Sequence, residues 1–160
     1  MAQPKITILG IGNLLLGDEG LGIHFVRMLN EDDLDYANLE IIDGGTCPEF
    51  ASLIEDTYKL IIVDAIKGGK EPGTVYRLSI NDVVTDSPPG ASSHEINVMD
   101  SLKALRLMGR EPKNTIIVGI EPKNIGWSLE LSPEVKGKLD KLKRIISQEI
   151  KGQADNVPYF

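Results

Sequence analysis

The sequence predicts a single α/β domain, a three-layer α/β/α sandwich around a mostly parallel sheet of about five strands, one edge strand of which can be antiparallel. Short β-branched apolar runs alternate along the chain with segments of helical periodicity. With 160 residues, 41% of them apolar and 26% charged, the chain has the size and composition of one globular domain. We expect this domain to span residues 1–151 and a mobile tail to follow at 152–160.

The first strand is predicted at residues 6–9, where a β-branched run ends in a Gly-Ile-Gly-Asn turn. A helix is predicted from about Glu19, because apolar residues then recur at helical spacing. Its apolar face consists of Leu21, Phe25, Val26 and Leu29.

The second strand is predicted at residues 39–42, followed by Asp-Gly-Gly. Thr46 and Glu49 have the spacing of a capping box, and Pro48 suits the first turn of the helix that this pattern predicts. The buried face of this second helix would be Phe50, Leu53 and Ile54.

Residues 59–65 read as a central strand that is almost wholly apolar, and residues 74–80 alternate like an edge strand. The connection 81–93 is rich in Pro, Gly and Ser, and connections this long are often functional. A helix then runs to Gly109, a plausible C′ glycine. Its apolar positions are Ile96, Met99, Leu102 and Leu105.

The last strand is predicted at residues 115–120. Ser132 as N-cap and Pro133 in the first turn open the final helix. The apolar face of that helix is Leu139, Leu142, Ile145, Ile146 and Ile150.

Charge and composition exclude several classes of partner. The net charge of −7 and the pI of about 4.8 argue against a nucleic-acid partner held through phosphates. No apolar run approaches the length of roughly 18 residues that a membrane span needs. Cys47 is the single cysteine, so the chain cannot form an internal disulfide or a cysteine-based zinc site. We expect a cytoplasmic protein.

The residues that follow the strands are the candidates for chemistry, because ligands of open α/β sheets bind beyond the carboxyl ends of the strands. Carboxylates are over-represented among them. The candidates are Asn13, Asp18, Glu19, Asp43, Cys47, Asp64, His94 and Glu121.

Asp64 is the most informative candidate. It ends an apolar run, where an uncompensated charge costs several kcal/mol. A metal ligand explains both the charge and the position. The alternative is a carboxylate that caps a turn or accepts backbone N–H bonds.

Glu19 lies near a helix N-terminus, where the ionised form that binds metal is favoured, although an ordinary first-turn acid fits equally well. Asp18 is the better candidate for a simple N-cap. His94 stands after the long connection and before a helix, which suits a ligand or a surface histidine. We interpret His24, inside the first helix, as structural.

Two other readings of the strand ends are weaker. Cys47 lacks the local pattern of a nucleophilic cysteine and is expected to line the site. Gly10 and Gly12 begin a dinucleotide-binding fingerprint, but Leu15 occupies the place of its third glycine. Asp18 and Glu19 would also repel a phosphate there.

The segment 10–22, GIGNLLLGDEGLG, resembles the opening motif of the hydrogenase-maturation endopeptidases, which trim the C-terminal extension from the large-subunit precursor of nickel–iron hydrogenases. The similarity continues in order through most of the chain, with only the tail outside. It includes residues 43–46 (DGGT), 61–65 (IIVDA), 92–95 (SSHE) and 118–122 (VGIEP).

The resemblance implies that Glu19, Asp64 and His94 bind metal and act in catalysis, and that Asp43 lies near the substrate cleft. It also implies that nickel arrives already inserted in the precursor, so that the free enzyme can be empty or hold another divalent transition metal. Two carboxylates and an imidazole leave open coordination positions, so bound metal could polarise the scissile carbonyl or activate a water. Asp43 could then serve as general base.

The resemblance thus predicts an endopeptidase whose partner is a hydrogenase large-subunit precursor, engaged through its C-terminal region and nickel site, with neither nucleic acid nor membrane as partner. One alternative is a non-catalytic maturation chaperone that binds the metal site or the precursor. The other is a nucleotide-binding protein that uses Gly10 and Gly12.

Overall fold

Five strands form one sheet in this computed structural model, which describes residues 4–31, 38–46, 50–80 and 93–152, without the side chains of residues 31 and 93–97. The strands are β1 (Ile6–Ile11), β2 (Leu39–Gly45), β3 (Lys59–Ala65), β4 (Val75–Ser79) and β5 (Asn114–Ile120). Their order across the sheet is β2-β1-β3-β5-β4. All neighbours are parallel except β4, which pairs antiparallel with β5 at the edge. The predicted sheet is therefore confirmed.

Helices cover both faces of the sheet and complete the predicted three layers. They are α1 (Leu21–Glu31), α2 (Ala51–Ile54), α3 (Ser93–Leu107), α4 (Pro133–Lys136) and α5 (Leu139–Ile150). One apolar cluster joins α1 and α5 to one face of the sheet, and a second joins α2 and α3 to the other. Alternation along β3 explains this division, because Val63 packs in the first cluster and Ile62 in the second.

The first helix begins later than predicted. Glu19 lies in a 3₁₀ turn, Gly17–Gly20, and α1 starts only at Leu21. The turn departs from α-helical geometry because Gly17 has a φ of +57°, which only a residue without Cβ adopts at little cost.

Two other helix predictions are corrected. The second helix begins at Ala51, and Glu49, one of the two residues of the predicted capping box, lies with Cys47 and Pro48 outside the described residues. Ser132 does cap the final helical segment, since its Oγ accepts from the Val135 N–H at 3.4 Å. That segment nevertheless divides into α4 and α5 at Gly137.

The predicted end of α3 is confirmed. Gly109 has a φ of +69°, and the Arg110 N–H donates to the Leu105 carbonyl at 2.8 Å, which closes the last turn. Of the predicted tail, residues 153–160 lie outside the described part of the chain. None of the described helices has the length and apolar character needed to cross a bilayer.

Candidate active site

The switch point of the sheet lies between β1 and β3. The chain passes from β1 outward to β2 on one side, and its next strand, β3, pairs with β1 on the other. Ligands of open α/β sheets bind beyond the carboxyl ends of strands at such a point. Glu19 follows β1 here and Asp64 lies near the end of β3, and the 3₁₀ turn that holds Glu19 packs against β3. The fold therefore brings these two predicted residues to one place.

Asp64 is buried, with 3% of its surface exposed. Strand alternation places its side chain on the face covered by α2 and α3, the face to which Ile62 also points. Its Oδ1 accepts from the Ala65 N–H at 2.9 Å. Gly119 pairs with Asp64 across the sheet, and a Cβ at residue 119 would lie only 1.9 Å from the Asp64 carbonyl oxygen. The strand end is thus packed so closely that Asp64 has a defined backbone position.

Glu19 is also buried, and its backbone is fixed by the turn after β1. The Asn13 N–H donates to the Glu19 carbonyl at 3.0 Å. Gly12 makes this approach possible, because a Cβ there would lie 2.0 Å from the same carbonyl and the φ of Gly12 is +143°. The side chain meets a cation, since Lys67 Nζ lies 2.7 Å from Glu19 Oε1. Sequence reasoning missed Lys67, although its place just after β3 was an available signal.

Asp18, the neighbour of Glu19, has a structural role. Its Oδ2 accepts from the backbone N–H groups of Lys123 and Asn124, each at 2.9 Å. The Ser132 N–H donates to Oδ1 and the Ser132 hydroxyl to Oδ2, both at 2.8 Å. Burial raises the pKa of Asp18, but these hydrogen bonds outweigh it and hold the pKa below the ordinary value. The prediction of Asp18 as a helix N-cap is wrong, because its carboxylate fastens the Glu19 turn to a distant loop.

The glycines of the predicted phosphate-binding turn serve close packing. A Cβ at Gly10 would lie 2.2 Å from the Gly22 carbonyl oxygen, and one at Gly22 would lie 2.3 Å from the Ile11 carbonyl oxygen. Gly22 therefore allows α1 to approach β1, the role that the third glycine has in a dinucleotide site. The packing explains these glycines without a nucleotide.

α3 has its N-terminus toward the carboxyl edge of the sheet. Just past its other end, Arg110 Nη2 lies 3.2 Å from Glu55 Oε2, close to the start of β3. The first turn of α3, which contains His94, therefore points toward the edge where Asp64 lies. The His94 side chain itself lies outside the described residues.

Asp43 lies on the opposite face of the sheet from Asp64. It lies near the end of β2, and alternation puts it on the α1 face, where Arg27 Nε is 3.5 Å from its Oδ2. Its side chain is 38% exposed.

Cys47, expected to line the site, lies outside the described residues. His24 has a lowered pKa, because burial and the charge of Arg27 both disfavour its protonated form.

Glu121 anchors the loop after β3. Its Oε1 accepts from the backbone N–H groups of Gly68 and Lys70 at 3.0 and 2.8 Å, and from the Tyr76 hydroxyl at 2.7 Å. Burial, the hydrogen bond to Glu121 and the charge of Glu121 together raise the pKa of Tyr76 to about 12. Glu121, a candidate by position, is therefore structural and holds the segment that carries Lys67.

The Glu121–Tyr76 bond predicts a late tyrosine titration. Absorbance after a stopped-flow jump to alkaline pH, read before unfolding, should show a delayed part of the tyrosinate signal that appears only toward pH 12. Tyr76→Phe should remove only the delayed part. Identical titration curves for the wild type and Tyr76→Phe up to pH 12, apart from amplitude, would show that the bond is absent.

A group of exposed apolar side chains adjoins the Glu19 turn. Trp127 is 83% and Leu129 62% exposed, and Leu15 and Ile125 are exposed as well. The loop that carries Trp127 and Leu129 is held against the Glu19 turn by two hydrogen bonds. The Ser128 N–H donates to the Leu15 carbonyl at 3.0 Å, and the Gly17 N–H donates to the Ser128 carbonyl at 2.8 Å. Exposed apolar surface of this kind commonly marks a protein-binding site.

Among the described residues, no group of three His, Cys, Asp or Glu side chains is positioned to hold a metal ion. The described donors at the switch point are the two carboxylates Glu19 and Asp64, and the His94 side chain is not among the described groups. The donor chemistry still suits a cation, because the Glu19 carboxylate is buried and already bonded to an ammonium group.

Comparisons with known proteins agree on one family. The model of a hydrogenase maturation protease family matches residues 23–149. The hydrogenase 2 maturation protease of Escherichia coli K12 is 34% identical over 85% of this chain and 84% of its own. A putative hydrogenase maturation protease of Methanocaldococcus jannaschii is 32% identical over 94% of this chain and 99% of its own. The solved structure of the hydrogenase maturating endopeptidase HybD from E. coli superposes with a TM-score of 0.84 at 31% identity, covering 92% of this chain and 94% of that one.

Proposed function

Because the chain belongs to the hydrogenase maturation protease family, we propose that it recognises nickel already bound in a hydrogenase large-subunit precursor and then removes the C-terminal extension of that precursor. Glu19, Asp64 and His94 would contact the nickel. The observation that carries this proposal is the meeting of two buried carboxylates, Glu19 and Asp64, at the switch point of the sheet.

The burial of these carboxylates favours a cationic ligand. Taking an ionised carboxylate out of water costs several kcal/mol unless a cation or hydrogen bonds replace the lost solvation. Glu19 already has a cation at 2.7 Å, which supports a site suited to positive charge. Carboxylate and imidazole are both ligands that nickel accepts, and two carboxylates with one imidazole leave room for ligands from the precursor.

The direction of α3 supports His94 as the third contact. The helix packs on the sheet face to which Asp64 points, and its first turn lies toward the same edge. Asp43 is better placed to touch the precursor chain than the nickel, because it is partly exposed and lies on the other face. The apolar surface around Trp127 would offer the precursor a docking area beside the site.

The reaction would be hydrolysis of one peptide bond close to the substrate's nickel. In this scheme Glu19 and Asp64 orient the precursor through its metal, so that the scissile carbonyl is held near an attacking water. A cytoplasmic location follows from the sequence expectation and from the need to meet the precursor during maturation.

The proposal predicts nickel-dependent cleavage. Purified protein is incubated with nickel-loaded and with nickel-free precursor, and the mass of the large subunit is followed. The loaded precursor should lose its C-terminal extension and the nickel-free one should remain intact. Equal cleavage of both would contradict recognition of nickel. Stable binding of the loaded precursor without any product would favour the chaperone alternative.

A nucleotide-binding role is tested in parallel. Millimolar NAD or ATP should leave the thermal unfolding midpoint unchanged, because the glycines after β1 are used in packing. A clear rise in the midpoint with either nucleotide would contradict this.

A further inference from the structure

We propose that Lys67 occupies the cation position of the free enzyme and that the nickel of the precursor must displace its ammonium group from Glu19. The inference rests on the proposed function, since it assigns nickel to Glu19. It adds a specificity-determining residue that excludes free metal ions from the site until a precursor presents its nickel.

The two partners of the ion pair differ in how easily they can leave it. The Glu19 side chain is 7% exposed, whereas that of Lys67 is 39% exposed. Glu19 is held in a short turn whose backbone is fixed on both sides, through Asn13 and through Asp18. Lys67 has a long flexible side chain that reaches solvent. A competing cation would therefore move the lysine and leave the carboxylate in place.

The backbone around Lys67 is fixed by hydrogen bonds, whereas its side chain can change conformation. Glu121 accepts the N–H groups of Gly68 and Lys70, so the segment stays close to the site after the ammonium has left. The Ile66 N–H donates to the Ile120 carbonyl at 3.1 Å and fixes the other side. The displaced ammonium thus remains near enough to return to Glu19 when the product departs.

A lysine at this position has a clear chemical use. An ammonium group and a divalent ion repel each other at contact distance, so both cannot be bonded to the same buried carboxylate at once. A site of two carboxylates and an imidazole would otherwise bind free copper more tightly than nickel, as the general order of metal affinities requires. A bound lysine lowers the apparent affinity for every free metal alike. The precursor overcomes this barrier because its protein contacts contribute binding energy that a free ion lacks.

The proposal is tested by titrating nickel chloride into the metal-free protein by calorimetry. Lys67→Leu removes the ammonium without adding a metal ligand, and it should bind free nickel at least about tenfold more tightly than the wild type. Lys70→Leu is the matched control, because Lys70 Nζ lies 5.6 Å from the centre of the Tyr76 ring and is not paired with Glu19. Its nickel affinity should equal that of the wild type. Lys67→Arg keeps the charge and should also bind nickel weakly.

Each outcome separates this inference from the function on which it rests. If folded Lys67→Leu binds nickel no more tightly than the wild type, displacement of Lys67 is wrong, while nickel-dependent cleavage stays open to its own assay. If Glu19→Gln combined with Lys67→Leu retains the tight binding, nickel does not use Glu19 and the proposed site is wrong. Loss of the tight binding in that double variant supports both the displacement of Lys67 and the binding of nickel by Glu19. Lys67→Ala replaces the leucine variant if circular dichroism shows that the latter is unfolded.

Discussion

Asp64→Asn is expected to slow cleavage of the nickel-loaded precursor by roughly 10²–10³-fold, the effect of removing one charged group from a preorganised site. Asparagine has nearly the shape of aspartate and its side-chain oxygen can still accept the Ala65 N–H, so the fold should persist. The amide is neutral, however, and is a poor ligand for a divalent ion. Initial rates by mass spectrometry measure the loss, and the thermal midpoint reports the fold.

The control for this variant lies at the other end of the same strand. Asp56 precedes β3, its side chain is 77% exposed, and its φ of +63° is one that asparagine tolerates well. Asp56→Asn should therefore cleave at the wild-type rate. Wild-type cleavage by Asp64→Asn would remove Asp64 from the site, whatever the control shows.

Asp18→Asn is expected to lower the free energy of unfolding by roughly 2–4 kcal/mol, because a buried carboxylate bonded to several donors is replaced by a neutral group that presents N–H to N–H. Urea unfolding at pH 7 measures this loss. Glu19→Gln, one residue away, should cost no more than about 1 kcal/mol, since the Lys67 side chain is 39% exposed and its charge stays in contact with solvent. Asp18→Asn should thus mainly lower the stability of the fold, whereas Glu19→Gln should affect the site with little loss of stability.

The pH dependence of the Asp18 effect has a definite sign. The native pKa is below the ordinary value of 3.8, so the carboxylate stabilises the fold fully at pH values above that value. The stabilisation is lost as the pH falls through the native pKa. The difference in stability between wild type and Asp18→Asn should therefore shrink below about pH 4. A constant difference down to acid unfolding would mean that the pKa of Asp18 is not lowered.

The fold was predictable from local patterns because the strands and long helices have strong periodicity. The limits of β3 match the predicted residues 59–65, since an almost wholly apolar run with Asp64 near its end leaves little freedom in where the strand begins and ends. The antiparallel edge strand β4 was equally visible from its alternation. The start of α1 was misplaced because the 3₁₀ turn depends on Asp18 partners far along the chain, which periodicity does not register.

The candidate site was predictable only in part, for the same reason. Strand ends identified Asp64, but they could not distinguish the buried anchor Asp18 from the neighbouring Glu19. That distinction depends on Ser132 and the loop before it, which approach Asp18 only in three dimensions. Lys67 was not predicted as a site residue because one lysine after a strand is common. Only its contact with Glu19 makes it informative.

The way Asp18 holds its loop determines which side chains of the loop can change without moving it. Lys123 and Asn124 bind Asp18 through main-chain amides, so their side chains are not needed for the contact. Substitution of an exposed side chain such as Trp127 should therefore leave the loop in its position beside Glu19. Trp127 stands on this loop and is 83% exposed. One main-chain anchor can thus hold the loop beside Glu19 while the exposed side chains of the loop change.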